Sequence, residues 1–248
     1  MKIQGLIAAA LLLFGIGQAG AVEITVLSTQ ATEQSTKELL PGFEKATGNT
    51  VKIGYTGTLD AKKRIAAGEA FDVLVMASPD IDDFIASGTL ATGSRIDVAK
   101  SGVGVGVKAG APKPDISTTE AFKKALLSAK SIGYSTGPSG MYVLGLFERL
   151  GIANELKPKL KQTPTGVFVG TITASGEVEI GIQQVSEMAQ FPGVDYVGPL
   201  PADIQKMTVF SSGIAAKAKD AAAAKALVKY ITAPEAASAY KKRGMEPG

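Results

Sequence analysis

The sequence predicts an α/β protein of two lobes, each a mainly parallel sheet flanked by helices. Three observations carry this. Strand and helix patterns alternate at the spacing of parallel strands joined by crossover helices. Residues 71–76 form an apolar run broken only by Asp72, as a strand covered on both faces would. The alternation shifts twice, near Lys100 and over 195–201, where the chain would cross between lobes. The expected division is 1–21 as an export signal, 22–99 with 200–248 as the first lobe, and 100–199 as the second with its hinge crossings.

The mature chain opens with a β-rich strand over 22–27. A helix follows over 32–45, with Leu39, Leu40 and Phe43 apolar, a kink expected at Pro41 and a stop at Gly48. A strand over 51–55 runs through Thr56, Gly57 and Thr58 into a helix over 59–67 that stops at Gly68. The covered strand over 71–76 precedes a helix opened by Pro79 and ending at Ala86. The run 98–107 alternates valine with glycine and reads as one long flexible β segment. No helix N-terminus follows it, which argues against a dinucleotide-binding turn. In the second unit, helices are expected over 118–127 (capped by Ser117), 139–150 and 166–175, with strands over 131–134 and 178–182. Strands at 196–197 and 207–215 lead back to an alanine-rich helix over 220–231 and a last helix over 234–243.

Composition narrows the chemistry. Lys2, the apolar residues 6–16 and the small residues Ala19 and Ala21 read as a cleavable export signal, too short to cross a bilayer. The expected product is a soluble periplasmic chain of about 227 residues starting near Val22. Without cysteine it has no disulfide and no lipid-bearing N-terminal cysteine, so packing alone must stabilise it. With histidine absent too, Cys/His zinc sites and Ser-His-Asp or Cys-His catalysis are excluded. No metal and no cofactor are expected. The net charge of +3 falls to +2 without Lys2, and the cations are interspersed with acids rather than gathered in a stripe. Nucleic acid is therefore not an expected partner.

In open parallel sheets, ligands bind beyond the carboxyl ends of the strands, where helix N-termini point. Here those ends carry Ser28 and Thr29, Thr56 and Thr58, Ser78, then Ser139 and Gly140 within 135–140, and Gln183 with Gln184. Each hydroxyl also reads as a helix cap, and the two roles are compatible, because a helix N-terminus with free N–H groups is itself an anion site. Ser28, Thr58, Ser139 and Gln183 are expected to face one cleft. Charged candidates are Lys62, one turn beyond Thr58, its neighbours Lys63 and Arg64, and Glu187 as a general base. Tyr142 is a candidate cleft wall or core residue.

Residues 22–28, the 43–48 helix end, 68–78, 176–182 and 234–244 resemble the corresponding stretches of the molybdate-binding proteins of ABC transporters. The resemblance spans the mature chain. It implies the type II periplasmic binding-protein fold and closure of two lobes on an oxyanion held by neutral donors, with an ABC-transporter membrane component as partner; a monomer is expected. At the position of that family's ligand-binding tyrosine this chain has Gln183 and Gln184. Residues 181–187, 195–201 and 244–248 resemble a branch that includes periplasmic aconitate isomerases, which interconvert cis- and trans-aconitate. Two readings stand: a binder of a small anion, a carboxylate in preference to an oxyanion, and an isomerase on the same fold. The binder is slightly favoured. For an isomerase, Lys62 or Glu187 would move the proton. For a carboxylate ligand, at least one of Lys62, Lys63 and Arg64 is expected to touch it.

Overall fold

A computed structural model describes residues 20–248; the export signal expected over 1–21 lies, but for its last two residues, outside them. The chain runs β1 (Glu23–Thr29), α1 (Glu33–Thr47), β2 (Thr50–Thr56), α2 (Thr58–Ala66), β3 (Val73–Ala77), α3 (Ser78–Ala86), β4 (Ile96–Ser101) and β5 (Val103–Lys108). It continues with α4 (Thr119–Ser128), β6 (Ile132–Tyr134), α5 (Pro138–Arg149), α6 (Ala153–Leu156), β7 (Leu160–Gln162), α7 (Val169–Ala174), β8 (Ile180–Gln184) and α8 (Val185–Met188). The last elements are β9 (Val194–Pro199), β10 (Thr208–Ile214), α9 (Ala221–Ile231), α10 (Ala237–Lys241) and β11 (Met245–Pro247).

Two mixed sheets result. The first has the order β11-β4-β10-β3-β1-β2 and the second β7-β6-β8-β5-β9. Parallel pairing joins β1 to β2 and β3, and β8 to β6 and on to β7, so the crossover units are the parallel half of each sheet. The strands added antiparallel, β4, β10 and β11 in one sheet and β5 and β9 in the other, include those that carry the chain between sheets.

Alternation places the cores. On β3, Val73 and Val75 join Ile24, Val26, Phe43, Leu227, Val228 and Tyr240 on one face. Leu74 and Met76 meet Leu27, Ile81 and Leu90 on the other. Both faces are covered, which explains the unbroken apolar run. The interruption, Asp72, is 3 % exposed and accepts from the backbone N–H groups of Thr25 (2.8 Å) and Lys219 (2.7 Å), tying β1 to the loop before α9. The second core gathers Val103, Val105, Phe122, Leu126, Phe147, Ile180 and Ile182.

The valine–glycine run is two strands in two sheets, not one flexible segment. The chain passes from β4 to β5 through Gly102 alone and returns between β9 and β10. Its glycines allow close packing: a Cβ at Gly106 would lie 2.6 Å from Met188 and Val194, and one at Gly104 would lie 2.8 Å from the Tyr196 ring. Three further expectations are corrected. The cap of α4 is Thr118, whose hydroxyl accepts from Ala121, while Ser117 donates its N–H to Asp115. The helix expected over 166–175 is only α7, because Gly166 takes a left-handed turn (φ 81°) before it. The last helix breaks into a 3₁₀ turn and α10, and the tail beyond it adds β11 to the sheet edge.

Candidate functional site

The strand ends of both sheets converge on one gap. β1 and β2 bring Thr29 and Thr56, α2 brings Gly57 and Thr58, and the β6–α5 turn brings residues 135–139. β8 brings Gln183 and Gln184, and α8 brings Glu187. The gap encloses about 380 Å³ with its mouth, of which only about 30 Å³ admits the centre of a water molecule, so it is nearly shut. The contacts that shut it are direct. Gln30 donates to the Gly166 carbonyl at 2.9 Å, and Gly57 abuts Thr165 and Gly166.

The local chain explains the donors. The N-cap of α2 is Gly57 and that of α5 is Gly137, and neither can offer a side-chain cap. The first-turn N–H groups of a helix have no intrahelical partner. Here those of Thr58 and Ser139, both on the gap wall, are left without a side-chain cap. Two helix dipoles end there as well, and both effects favour an anion. The hydroxyls of Thr58 and Ser139 lie inside the first turns rather than at the cap positions expected for them.

Thr29 lines the gap while accepting from the Ala31 N–H (3.4 Å), and Thr56 lines it with its hydroxyl given to Asp60 (2.5 Å). Thr58, Ser139, Gln183 and Gln184 line it, Gln183 anchored by accepting from the Val169 N–H at 2.7 Å. Ser28 does not: its hydroxyl is buried against Thr29 and Thr32. Ser78 turns to donate to the Val209 carbonyl (2.9 Å), stitching α3 to β10. Gly140 lies behind the wall, where a Cβ would fall 1.7 Å from the Ser135 carbonyl oxygen, so glycine lets α5 start against that turn. Tyr142 packs with the second core, donates to the Ile204 carbonyl (2.7 Å) and carries Arg149 over its ring.

The cationic cluster faces away. Lys62 pairs with Asp80 at 2.5 Å, Arg64 forks onto Glu69 at 2.6 and 2.5 Å, and Lys63 is exposed. Among the described residues that line the gap there is no lysine or arginine. The i,i+4 spacing from Thr58 fails as a guide because α2 points its N-terminus, not its side, at the gap.

Glu187 is the one ionisable group on this wall. It is half-buried, and loss of solvent pushes its carboxyl up to about 8. The Gln183 side chain and the Gln184 N–H offset part of that rise, and the charge of Glu33 adds to it. Such a group is largely neutral at pH 7 yet can give or take a proton there.

Gln184 also joins the two crossings. Its amide donates to the carbonyls of Ser101 and Gly102 (3.1 Å each) and accepts from the Thr208 hydroxyl (3.0 Å), the orientation that satisfies all three. Sequence reasoning missed Gln30, Gly166, Val167 and Phe210 on the wall. Gly166 could have been found from the Pro164–Gly166 turn had the short strand β7 before it been read as a strand. Nothing marks Phe210.

Known proteins agree with this architecture. The chain is 36 % identical over 230 residues to an aconitate isomerase of a Pseudomonas species, covering 90 % of this chain and 87 % of that one. It is 24 % identical over 251 residues to the molybdate-binding protein ModA of Escherichia coli K12, covering 98 % and 97 %. The periplasmic molybdate-binding protein of Azotobacter vinelandii superposes with a TM-score of 0.75 at 21 % identity, over 90 % of this chain and 98 % of that one. A family model described as bacterial extracellular solute-binding protein matches residues 24–246. The chain belongs to the bacterial extracellular solute-binding protein family.

Proposed function

We propose that this protein binds a small polycarboxylate in the gap between its two sheets and isomerises it by a 1,3-allylic proton shift, of the kind that interconverts cis- and trans-aconitate. The observation that carries this reading is Glu187, a carboxyl held near neutrality on the wall of an anion-attracting gap. A protein that only holds a preformed anion gains nothing from an acid able to lose its proton beside that anion. An isomerase requires one, and a carboxylate with its affinity raised toward ambient pH is the better proton carrier. This reverses the slight preference for a binder drawn from the sequence alone. It also passes the proton role to Glu187 and takes it from Lys62, which pairs with Asp80.

The Glu187 carboxylate removes a proton from the methylene carbon, and the C–H electrons form a new double bond to the central carbon. The old double bond's electrons move to the far carbon, which takes the proton back from Glu187. Charge that builds on the substrate carboxylates meets the uncapped N–H groups of α2 and α5. The aconitate isomerase relative supports the substrate class.

The reading extends to the whole molecule. Residues 22–99 with 200–248 and residues 100–199 act as two lobes that open about the crossings joined by Gln184. The protein works in the periplasm after losing its signal. As an enzyme it acts as a monomer and needs no transporter partner. Among the described residues no helix is long and apolar enough to cross a membrane. The test is the ultraviolet absorbance of cis-aconitate followed with the mature protein: a change that depends on enzyme and stops at the cis/trans equilibrium is expected. An unchanged trace across pH 6–9 sinks the isomerase.

A second reading rests on the neutral donors around the gap: a binder of a tetrahedral oxyanion that delivers it to an ABC transporter. Thermal shifts against molybdate, tungstate and sulfate decide it. At a hundred times the dissociation constant, a true ligand adds about 2.7 kcal/mol.

A further inference from the structure

Beyond Glu187 the space between the sheets continues into a second compartment. It is lined by Gln30 and Gln34 from the first sheet's side, Phe168, Ser186 and Gln190 from the second's, and Arg243 from just after α10. About 210 Å³ of it admits the centre of a water molecule, several times more than in the strand-end gap. Glu187 and Gln30 line both compartments, so the two adjoin at these side chains.

Two polar groups here have no partner. The Ser186 hydroxyl belongs to a residue only 9 % exposed and makes no hydrogen bond, and the Arg243 Nε is buried and unpaired. Buried polar atoms are nearly always satisfied, and an unsatisfied donor costs about 1–3 kcal/mol. The rest of the guanidinium is only partly engaged: Nη1 donates to the Gln190 side chain, and Nη2 stands 3.9 Å from Glu38, whose closer partner is Lys242 at 2.5 Å. A cation and a hydroxyl, each with an enclosed donor to spare, therefore line the compartment beside the proposed proton carrier, and a turn of either side chain brings that donor to a ligand there.

We infer that this compartment is a carboxylate subsite: Arg243 and Ser186 hold one carboxylate of the ligand while another lies at the helix N-termini beyond Glu187. This deepens the polycarboxylate reading and rests on it. The ligand then straddles Glu187, with its carbon skeleton against the carboxyl and its charged ends held apart. Such an arrangement selects for three carboxylates over two, and Arg243 supplies the cation that the strand-end gap lacks.

The test measures binding without turnover, using propane-1,2,3-tricarboxylate, which has no double bond to move, and pentanedioate, which lacks the branch carboxylate. Calorimetry on the mature protein should give a preference for the tricarboxylate. In Arg243→Gln and in Ser186→Ala that preference should fall, roughly ten- to a hundredfold for the arginine and less for the serine. Arg243→Lys should restore part of it, and circular dichroism should confirm that each variant is folded. A folded Arg243→Gln protein with unchanged preference overturns the subsite even if the wild type isomerises aconitate. A wild type that binds neither carboxylate and leaves aconitate untouched overturns the polycarboxylate reading, and the subsite with it.

Discussion

The two compartments that meet at Glu187 are built from different atoms. The strand-end gap is made of backbone: N–H groups of helices that begin on Gly57 and Gly137, with hydroxyls and amides around them. The compartment beyond is made of side chains, with an arginine and an unpaired serine. Backbone donors are rigid and do not titrate, so they present the same N–H groups at any pH. Side-chain donors can be exchanged by mutation and so set which further groups are accepted. On the proposed function, the difference teaches that anion attraction and ligand choice occupy separate places, with the titratable carboxyl between them.

The largest effect expected is on that carboxyl. Glu187→Gln should lower isomerisation by about 10²- to 10⁴-fold, the usual contribution of a general acid–base. The affinity for propane-1,2,3-tricarboxylate should stay within about threefold. Equal losses of rate and affinity would make Glu187 part of the anion site and erase the distinction between the compartments.

Next is pH. The proton-accepting form of Glu187 is the carboxylate, so kcat/KM should rise about tenfold per pH unit below about 8 and level off above it. The stability consequence has the opposite direction. A raised folded-state pKa stabilises the neutral form, so this contribution is whole below the ordinary carboxylate range and disappears as pH climbs through about 8. Melting temperatures from pH 5 to 9 should therefore decline less in Glu187→Gln than in the wild type.

A smaller effect tests the backbone compartment. In Gly57→Ala the new Cβ would lie 2.8 Å from the Gly166 N and 2.9 Å from Thr165. Closure must then yield by tenths of an ångström, and ligand affinity should drop about tenfold, within the 1–3 kcal/mol typical of overpacking. Calorimetry checks this; an unchanged affinity would mean that the gap need not shut on its ligand.

The smallest effect belongs to the triple variant Lys62→Gln, Lys63→Gln, Arg64→Gln. Glu69 is a surface acid but Asp80 is largely buried, so stability should move by about 1–2 kcal/mol. Carboxylate affinity should stay within twofold. A large loss would return the ligand to this helix face and displace Arg243.

The sequence carried the periodic elements well and the chain's three-dimensional turns poorly. Glycine stops at Gly48, Gly68 and Gly151 were legible because a left-handed residue after a helix leaves a local signature, and each has positive φ. The split of the 98–107 run was not, because Gly102 differs from its neighbouring glycines only in where the chain goes next. The same holds for the site. Polar strand ends put Thr58, Ser139 and Gln183 on the gap wall, a place that follows from topology. Lys62 does not line the gap, since helical spacing tells which face a residue shares but not which face is turned to the gap. Arg243 was hidden because nothing near residue 243 suggests that the chain's end folds back beside α8.

That folding back orders events in time. The second sheet uses only strands from 103 to 199, whereas the first needs β10 and β11 from the far end, and its core needs α9. Whether the chain emerges from a ribosome or a secretion pore, its opening third must wait, with β3 and the α1 face unsealed, until the last residues arrive. The contiguous sheet can form ahead of it. A chain built this way closes its first sheet only once α9 and β11 have joined it, and Arg243, between α10 and β11, reaches the second compartment late.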